Sequence, residues 1–246
     1  MDIFVLMTFF VALASSVLSG LAHGGGGFIM GPYWLLAGMT PLQGATTGAF
    51  TSIGMTLSSS AAFKKAGYRF KGSRLATALA AMSIATATGG ALILPHIDPA
   101  AFRTTLALVT LFAIPLLFVH PSRTAAFAKY KRSGMLLACA LLAIGSVISS
   151  SAFSILFTLV LMNFFGMSVL RASALRRTIG IGQSITLFML LAAQGGFLWQ
   201  HGFMALAGAT VGSYVGTRFA IKKGETFAKY TVAVMSLLGA TALLIA

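Results

Sequence analysis

The sequence predicts an all-α polytopic membrane protein with about eight full membrane spans. Of its 246 residues 58% are hydrophobic and only 8% are charged, whereas soluble domains carry about 25% charged residues. The mean hydropathy is +0.94, and apolar segments recur along the whole chain. The formal net charge of +14 comes from basic residues concentrated between these segments. This pattern indicates basic loops that set membrane topology rather than a surface for nucleic acid.

The apolar segments follow one another with short connections. Their approximate limits are 3–22, 27–39, 42–63, 75–95, 102–120, 134–150, 152–165, 172–193, 203–221 and 228–246. A full span needs about 20 residues, so 27–39 and 152–165 are too short to cross upright and are expected to form half-helices or re-entrant arms. A signal peptide begins with positive charge, whereas only Asp2 is charged before the first segment, so we expect a retained first helix.

Four basic patches predict the orientation of the segments. They consist of Lys64, Lys65, Arg69, Lys71 and Arg74; of Arg123, Lys129, Lys131 and Arg132; of Arg171, Arg176 and Arg177; and of Arg218, Lys222, Lys223 and Lys229 with Glu225. Basic loops stay on the cytoplasmic side of a membrane. Both termini are then outside, 3–39 forms a helical hairpin, and 134–165 forms a second hairpin of opposite orientation.

The two halves of the chain resemble each other at an offset of 128 residues, where Gly38–Ala45 aligns with Gly166–Ser173. Two glycine pairs continue the match: Gly54 with Gly182, and Gly67 with Gly195. We predict a first transmembrane repeat at 1–120, a cytoplasmic basic linker at 121–133 and a second repeat at 134–246. The alternative is chance similarity among helices rich in glycine and alanine.

Each predicted repeat contains one hairpin, broken or re-entrant, followed by three transmembrane helices. An odd number of crossings makes the second repeat inverted relative to the first. Inverted repeats with paired broken segments are typical of secondary transporters, whose binding site lies near the bilayer midplane between the halves.

A run of four glycines, Gly24, Gly25, Gly26 and Gly27, separates the first two apolar segments. Each glycine costs a helix about 1 kcal/mol relative to alanine, so the helix is expected to break there. Broken backbone at membrane depth is tolerated where it is buried in protein or lines a cavity. The run could expose N–H groups at the start of 27–39 and bind an anion; the alternatives are a hinge or a close helix crossing. Ser149 and Ser150 occupy the equivalent place in the second half.

Hydroxyl side chains follow the glycine run. Thr46, Thr47 and Thr51 begin the next segment, and Thr47 and Thr51 share a helical face. Their hydroxyls could donate to an oxyanion without a buried charge. Hydrogen bonding between helices is the alternative.

Arg176, beside Arg177, could bind a sulfonate or carboxylate through paired hydrogen bonds. The alternative is a basic anchor that extends to the lipid headgroups. Gln183 lies deeper in the same segment and is a candidate for the transport pathway. His23 precedes the glycine run and could be proton-linked, or simply hydrogen-bonded at a helix end. We predict no metal site, because the histidines and the single cysteine show no metal-binding spacing.

The opening motif carries a family resemblance. It comprises Gly20, Gly24–Gly27, Pro32, Leu35, Leu36, Gly38, Pro41, Gly44, Ala45, Thr46 and Thr47. This arrangement resembles the TauE/SafE family of sulfite exporters. The resemblance implies a bacterial inner-membrane protein that moves anionic sulfur compounds, such as sulfite, sulfoacetate or other organosulfonates. The second half departs from the pattern, since it lacks the glycine run and its proline.

Taken together, these features predict a secondary transporter of small anions, and the family resemblance implies that it exports sulfite or organosulfonate-type compounds. The alternatives are an anion channel or facilitator, and an importer of small organic acids. The predicted spans contain no Asp or Glu, and an inside-negative potential favours anion exit by about 2.3 kcal/mol per charge per 100 mV. We expect no enzyme activity, cofactor or nucleic acid; the expected partners are the small anion, the lipid bilayer and a second copy of the chain in a homodimer.

Overall fold

The computed structural model describes residues 3–22, 27–70, 73–93, 131–148 and 151–245, which form eight α-helices and no strand. The helices are α1 (Ile3–Ala22), α2 (Gly27–Leu36), α3 (Pro41–Lys65), α4 (Arg74–Ile93), α5 (Lys131–Ile148), α6 (Ser151–Phe165), α7 (Val169–Ala192) and α8 (Trp199–Ile245). The predicted all-α class is confirmed for these residues. The predicted segment 102–120 and most of the linker 121–133 lie outside them.

The first two helices form a long and a short member of a pair. The 20 residues of α1 extend over about 30 Å, whereas the 10 residues of α2 extend over about 15 Å, half the thickness of a bilayer core. The hydroxyl of Tyr33 in α2 donates to the carbonyl oxygen of Phe4 in α1 at 2.8 Å, so α2 returns along α1. The segment predicted to be too short to cross upright thus contains a helix of 10 residues. Within the described chain, α1 and α4 are long and apolar enough to cross a membrane.

Helices α3 and α7 begin in the same way. The residue before each is an extended N-cap, Thr40 with φ −65° and ψ 157°, and Ser168 with φ −68° and ψ 159°. Each N-cap side chain accepts a hydrogen bond from the backbone N–H three residues later, which satisfies a donor at the helix start. Two residues earlier, Gly38 and Gly166 have φ of +72° and +63°, a conformation that glycine adopts without a Cβ clash. All four residues were paired by the sequence alignment.

The two helices also end alike. Gly67 after α3 and Gly195 after α7 have φ of +92° and +84°, and the alignment pairs them as well. Each half packs on a helix of the other half. Helices α1 and α3 of the first half pack on α8 of the second half, and helices α5 and α7 of the second half pack on α4 of the first half. Helices α3 and α7 pack directly on each other, so they form the junction between the halves.

Helix α1 lies against α8 at very short distance. Three glycines of α8 face the main chain of α1: Gly208, Gly212 and Gly216. A Cβ atom at any of them would overlap the carbonyl oxygen of Phe9, Leu13 or Val17, respectively. Such stripes of small residues let membrane helices approach until their backbones touch.

Helix α8 changes direction at Gly224, whose φ of 85° and ψ of −174° are not helical. This break separates two stretches that correspond to the predicted segments 203–221 and 228–246. Only glycine tolerates this conformation readily. The residue after it, Glu225, accepts hydrogen bonds from the backbone N–H of Leu170 at 3.3 Å through both carboxylate oxygens. The break therefore brings a carboxylate to the first turn of α7.

Candidate functional site

Arg177 lies two turns inside α7, with 7% of its surface exposed. Its Nη2 donates to both the carbonyl oxygen and the Oγ of Ser19, each at 2.8 Å. Ser19 belongs to the last turn of α1, and its hydroxyl also lies 3.4 Å from the sulfur of Met55 in α3. Helices α1, α3 and α7 therefore converge on this guanidinium.

The local partners of Arg177 explain how the side chain is held there. The Ser19 carbonyl is one of the last four in α1, which have no intrahelical N–H partner. The end of a helix also carries partial negative charge, which favours a cation. Both groups that accept hydrogen bonds from Arg177 are nevertheless neutral. In the described part of the chain the only acidic residue is Glu225, which is bound to Leu170, about 10 Å back along α7.

Four buried hydroxyls of α1, α3 and α7 have no hydrogen-bond partner among the described residues: Ser16 Oγ, Thr47 Oγ1, Ser60 Oγ and Ser173 Oγ. Ser16 lies one turn before Ser19 in α1, and Ser173 lies one turn before Arg177 in α7. A buried hydroxyl that makes no hydrogen bond costs about 1–3 kcal/mol.

The three threonines of the predicted site are all buried in α3, but their hydroxyls differ. Thr46 Oγ1 donates to the carbonyl oxygen of Leu42 at 2.7 Å, and Thr51 Oγ1 donates to that of Thr47 at the same distance. Both therefore bond to their own helix, as hydroxyl side chains often do. Thr47 is the one whose hydroxyl is left without a described partner.

The start of α7 corrects the predicted depth of the two arginines. We expected Arg176 and Arg177 three to four residues into a span that begins at 172, but α7 begins at Val169 because Ser168 caps it. Half-buried Arg176 points elsewhere than Arg177: its guanidinium carbon lies 6.0 Å from the ring centre of Phe157 in α6. The structure thus brings Arg177 to the α1 end and places Arg176 against an aromatic ring.

The sequence pointed to the pair Arg176 and Arg177 and favoured Arg176 for the site, whereas the structure buries Arg177 more deeply. One signal for Arg177 was present in the sequence. Ser173, Arg177, Gly180 and Ser184 follow at helical spacing and form a stripe of small and polar residues on one face of α7. All four are buried, which fits a face turned toward other helices rather than toward lipid. Gln183 is also buried, as its predicted depth required.

Six residues of the predicted site lie outside the described residues: Gly24, Gly25, Gly26, Ser149, Ser150 and His23. Their neighbours are described. Gly27 is the first residue of α2, and Ser151 is the first residue of α6. Both short helices therefore begin beside the stretches that were predicted to break the chain.

A second polar network fixes α2. Thr8 Oγ1 of α1 lies 2.6 Å from the Tyr33 hydroxyl and 2.8 Å from Nδ1 of His201 in α8. Thr8 is fully buried, and Tyr33 nearly so. The network joins α1, α2 and α8, and so it holds the short helix in place. No group of three or more His, Cys, Asp or Glu residues that could hold a metal occurs among the described residues.

Comparison with known proteins gives a consistent result. Residues 8–243 match the family model described as Sulfite exporter TauE/SafE. A probable membrane transporter protein of Haemophilus influenzae is 26% identical over 241 residues, which cover 93% of this chain and 89% of the relative. Probable membrane transporter proteins ORF9 of a Sinorhizobium species and YfcA of Escherichia coli are 26% and 24% identical, each over 93% of this chain and 88% and 85% of the relative.

No solved structure matches the chain. The family match nevertheless extends from α1 into the second stretch of α8, and it includes every helix that contributes to the Arg177 site. The relatives are aligned over nearly their whole length and carry transporter names. The chain therefore belongs to the TauE/SafE family of membrane transporters.

Proposed function

We propose that this protein is a secondary transporter of small anions that exports sulfite or organosulfonate-type compounds across the bacterial inner membrane. The observation that carries the proposal is Arg177, a buried cation whose hydrogen-bond acceptors in Ser19 are neutral. A charged side chain at membrane depth costs at least about 2.5–3.5 kcal/mol and marks an ion or substrate pathway by default. A bound anion would supply the opposite charge.

The chemistry of the site suits an oxyanion. The two bonds to Ser19 use only Nη2 of Arg177, and a guanidinium carries five N–H donors. Its Nε–H and Nη1–H donors point to different sides of the guanidinium, and either can donate a charge-assisted hydrogen bond to an oxygen of a sulfite or sulfonate group. The hydroxyls of Thr47, Ser16 and Ser173 then serve as neutral donors along the path through the protein.

The proposed architecture is a pair of inverted repeats, 1–120 and 134–246, joined by the basic linker 121–133, with about eight full spans. The paired caps and glycines around α3 and α7 support it. Arg177 lies where these two equivalent helices meet α1, as expected for a site between repeats. The basic patches would face the cytoplasm, except that Arg177 of the third patch lies buried two turns inside α7, and both termini would face the outside. A homodimer is part of the proposal, because Trp199, Phe203 and other exposed apolar side chains of α8 could face either lipid or a second copy.

The membrane potential is the proposed driving force. Glu225 is the only acidic residue in the described chain, and it is already bound to the start of α7. Proton- or sodium-coupled transporters usually use a carboxylate within a span, whereas anion exit needs only the inside-negative potential.

The test is radiolabelled sulfite flux in proteoliposomes of the purified full chain. We expect flux that saturates with sulfite, is inhibited by unlabelled sulfoacetate and responds to a potassium–valinomycin potential. Unsaturable flux would instead indicate a channel. Flux that requires a pH gradient and ignores the imposed potential would refute the proposed energy source.

A further inference from the structure

A second basic site lies at the end of the bundle where α3 finishes and α7 begins. Arg69 and Arg171 line a cavity of about 280 Å³ there, together with Gly67, Tyr68 and Phe70. Both arginines are exposed, so an anion can approach them from the aqueous phase.

The cavity is held by a folded turn. The φ of +92° at Gly67 reverses the chain after α3, and the N–H of Tyr68 donates to the carbonyl oxygen of Phe63 at 3.1 Å. The rings of Phe63 and Tyr68 meet edge to face, with centres 5.6 Å apart. Phe63 is fully buried, so the turn that carries Arg69 is anchored in the core.

The arginine side chains, rather than the helix end, give the cavity its preference for anions. The first turn of α7 already has acceptors, since Ser168 Oγ accepts from the N–H of Arg171 and Glu225 accepts from that of Leu170. Each guanidinium that lines the cavity supplies charged N–H donors that suit an oxyanion. Burial and, secondly, the charge of Glu225 raise the pKa of Tyr68, so its hydroxyl stays protonated and can donate.

We propose that this cavity binds an oxyanion group, either on the transported anion or on the phosphate of an anionic lipid. Arg171 lies six residues before Arg177, which corresponds to about 9 Å along α7. An anion held by Arg69 and Arg171 would thus lie about 9 Å along the helix axis from the buried guanidinium, on a face of α7 about 120° away. Binding of the transported anion at this cavity rests on the proposed anion transport, whereas binding of a lipid phosphate does not.

The experiment compares the double variant Arg69→Gln/Arg171→Gln with the wild type and with a matched control, Arg74→Gln. Arg74 belongs to the same basic patch and is exposed, but it does not line the cavity. The melting temperature of each purified protein is measured in neutral detergent with added sulfite, with inorganic phosphate, and with palmitoyl-oleoyl phosphatidylglycerol. The half-saturating sulfite concentration for flux is then measured in liposomes of neutral lipid.

If the ligand is a free anion, sulfite or phosphate stabilises the wild type and Arg74→Gln but not the double variant. The double variant then needs about tenfold more sulfite for half-maximal flux, with an unchanged maximal rate. If the ligand is a lipid, only phosphatidylglycerol gives this difference. Equal shifts for the double variant and Arg74→Gln with all three ligands would overturn the proposal. A third outcome separates the two proposals. If the wild type transports no sulfite but its ligand-induced melting shifts are still lost in the double variant, the proposed function is refuted and the anion site stands.

Discussion

Replacing Arg177 by glutamine removes the guanidinium while leaving an amide that can still donate to the Ser19 carbonyl. Each hydrogen bond between a charged group and an oxyanion is worth about 1.5–3 kcal/mol. Because 1.4 kcal/mol corresponds to a factor of ten, loss of one such bond should weaken sulfite binding about 10- to 100-fold. The fold should lose less, because the variant also removes a charge whose partners in Ser19 are neutral.

The assay is the concentration dependence of sulfite flux in proteoliposomes, with the melting temperature measured on the same preparations. We expect the half-saturating concentration to rise at least tenfold in Arg177→Gln and the melting temperature to change by only a few degrees, since 1 kcal/mol corresponds to about 2–4 °C in a chain of this size. Arg177→Lys keeps the charge but loses the planar pair of donors, so its half-saturating concentration should lie between those of the wild type and Arg177→Gln. Exposed Arg74→Gln is the matched control. If Arg177→Gln and Arg74→Gln give the same flux curve, the role assigned to the buried guanidinium is wrong.

Three further substitutions test other parts of the structure. Thr47→Val replaces an unpartnered buried hydroxyl with a methyl group. The melting temperature should therefore stay the same or rise, while the sulfite concentration for half-maximal flux rises about two- to tenfold. A loss of stability in parallel with the loss of affinity would contradict this role. Gly212→Ala places a Cβ against the Leu13 carbonyl and should lower the melting temperature strongly. The control Gly89→Ala should be tolerated, because a Cβ there meets nothing within 4 Å. Equal melting temperatures of the two variants would show that α1 and α8 do not approach as closely as described. Tyr33→Phe removes the hydrogen bonds of α2 to α1 and should cost about 1–2 kcal/mol in unfolding by denaturant; an unchanged unfolding curve would mean that this network does not hold the short helix.

Much of the fold could be predicted because the bilayer imposes simple rules on sequence. A segment of 13 apolar residues cannot cross, and α2 is indeed a helix of 10 residues. Glycines that align between the halves, such as Gly38 and Gly166, do share a positive φ. The alignment of the halves included Ser168, but the sequence did not reveal that this residue caps α7 and sets where the helix begins. The helix therefore begins three residues before the apolar segment does, which moves Arg177 deeper than expected.

The site was harder to predict than the helices, because neighbouring residues in a helix point about 100° apart. Arg176 and Arg177 look equivalent in the sequence, and only the three-dimensional placement of the last turn of α1 decides that Arg177 reaches Ser19. The same holds for the threonines: Thr46 and Thr47 are adjacent, yet one hydroxyl is bonded to its own helix and the other is left without a described partner. Contacts between distant parts of the chain cannot be derived from spacing alone.

The most direct test of anion transport through the Arg177 site is an electrical one. Proteoliposomes adsorbed on a solid-supported membrane are exposed to a jump in sulfite concentration, and the resulting current is recorded. We predict a current with the sign of moving negative charge, which saturates with sulfite in the wild type and in Arg74→Gln and is lost in Arg177→Gln. A wild-type current no larger than that of protein-free liposomes, or one that Arg177→Gln retains in full, would contradict the proposed mechanism.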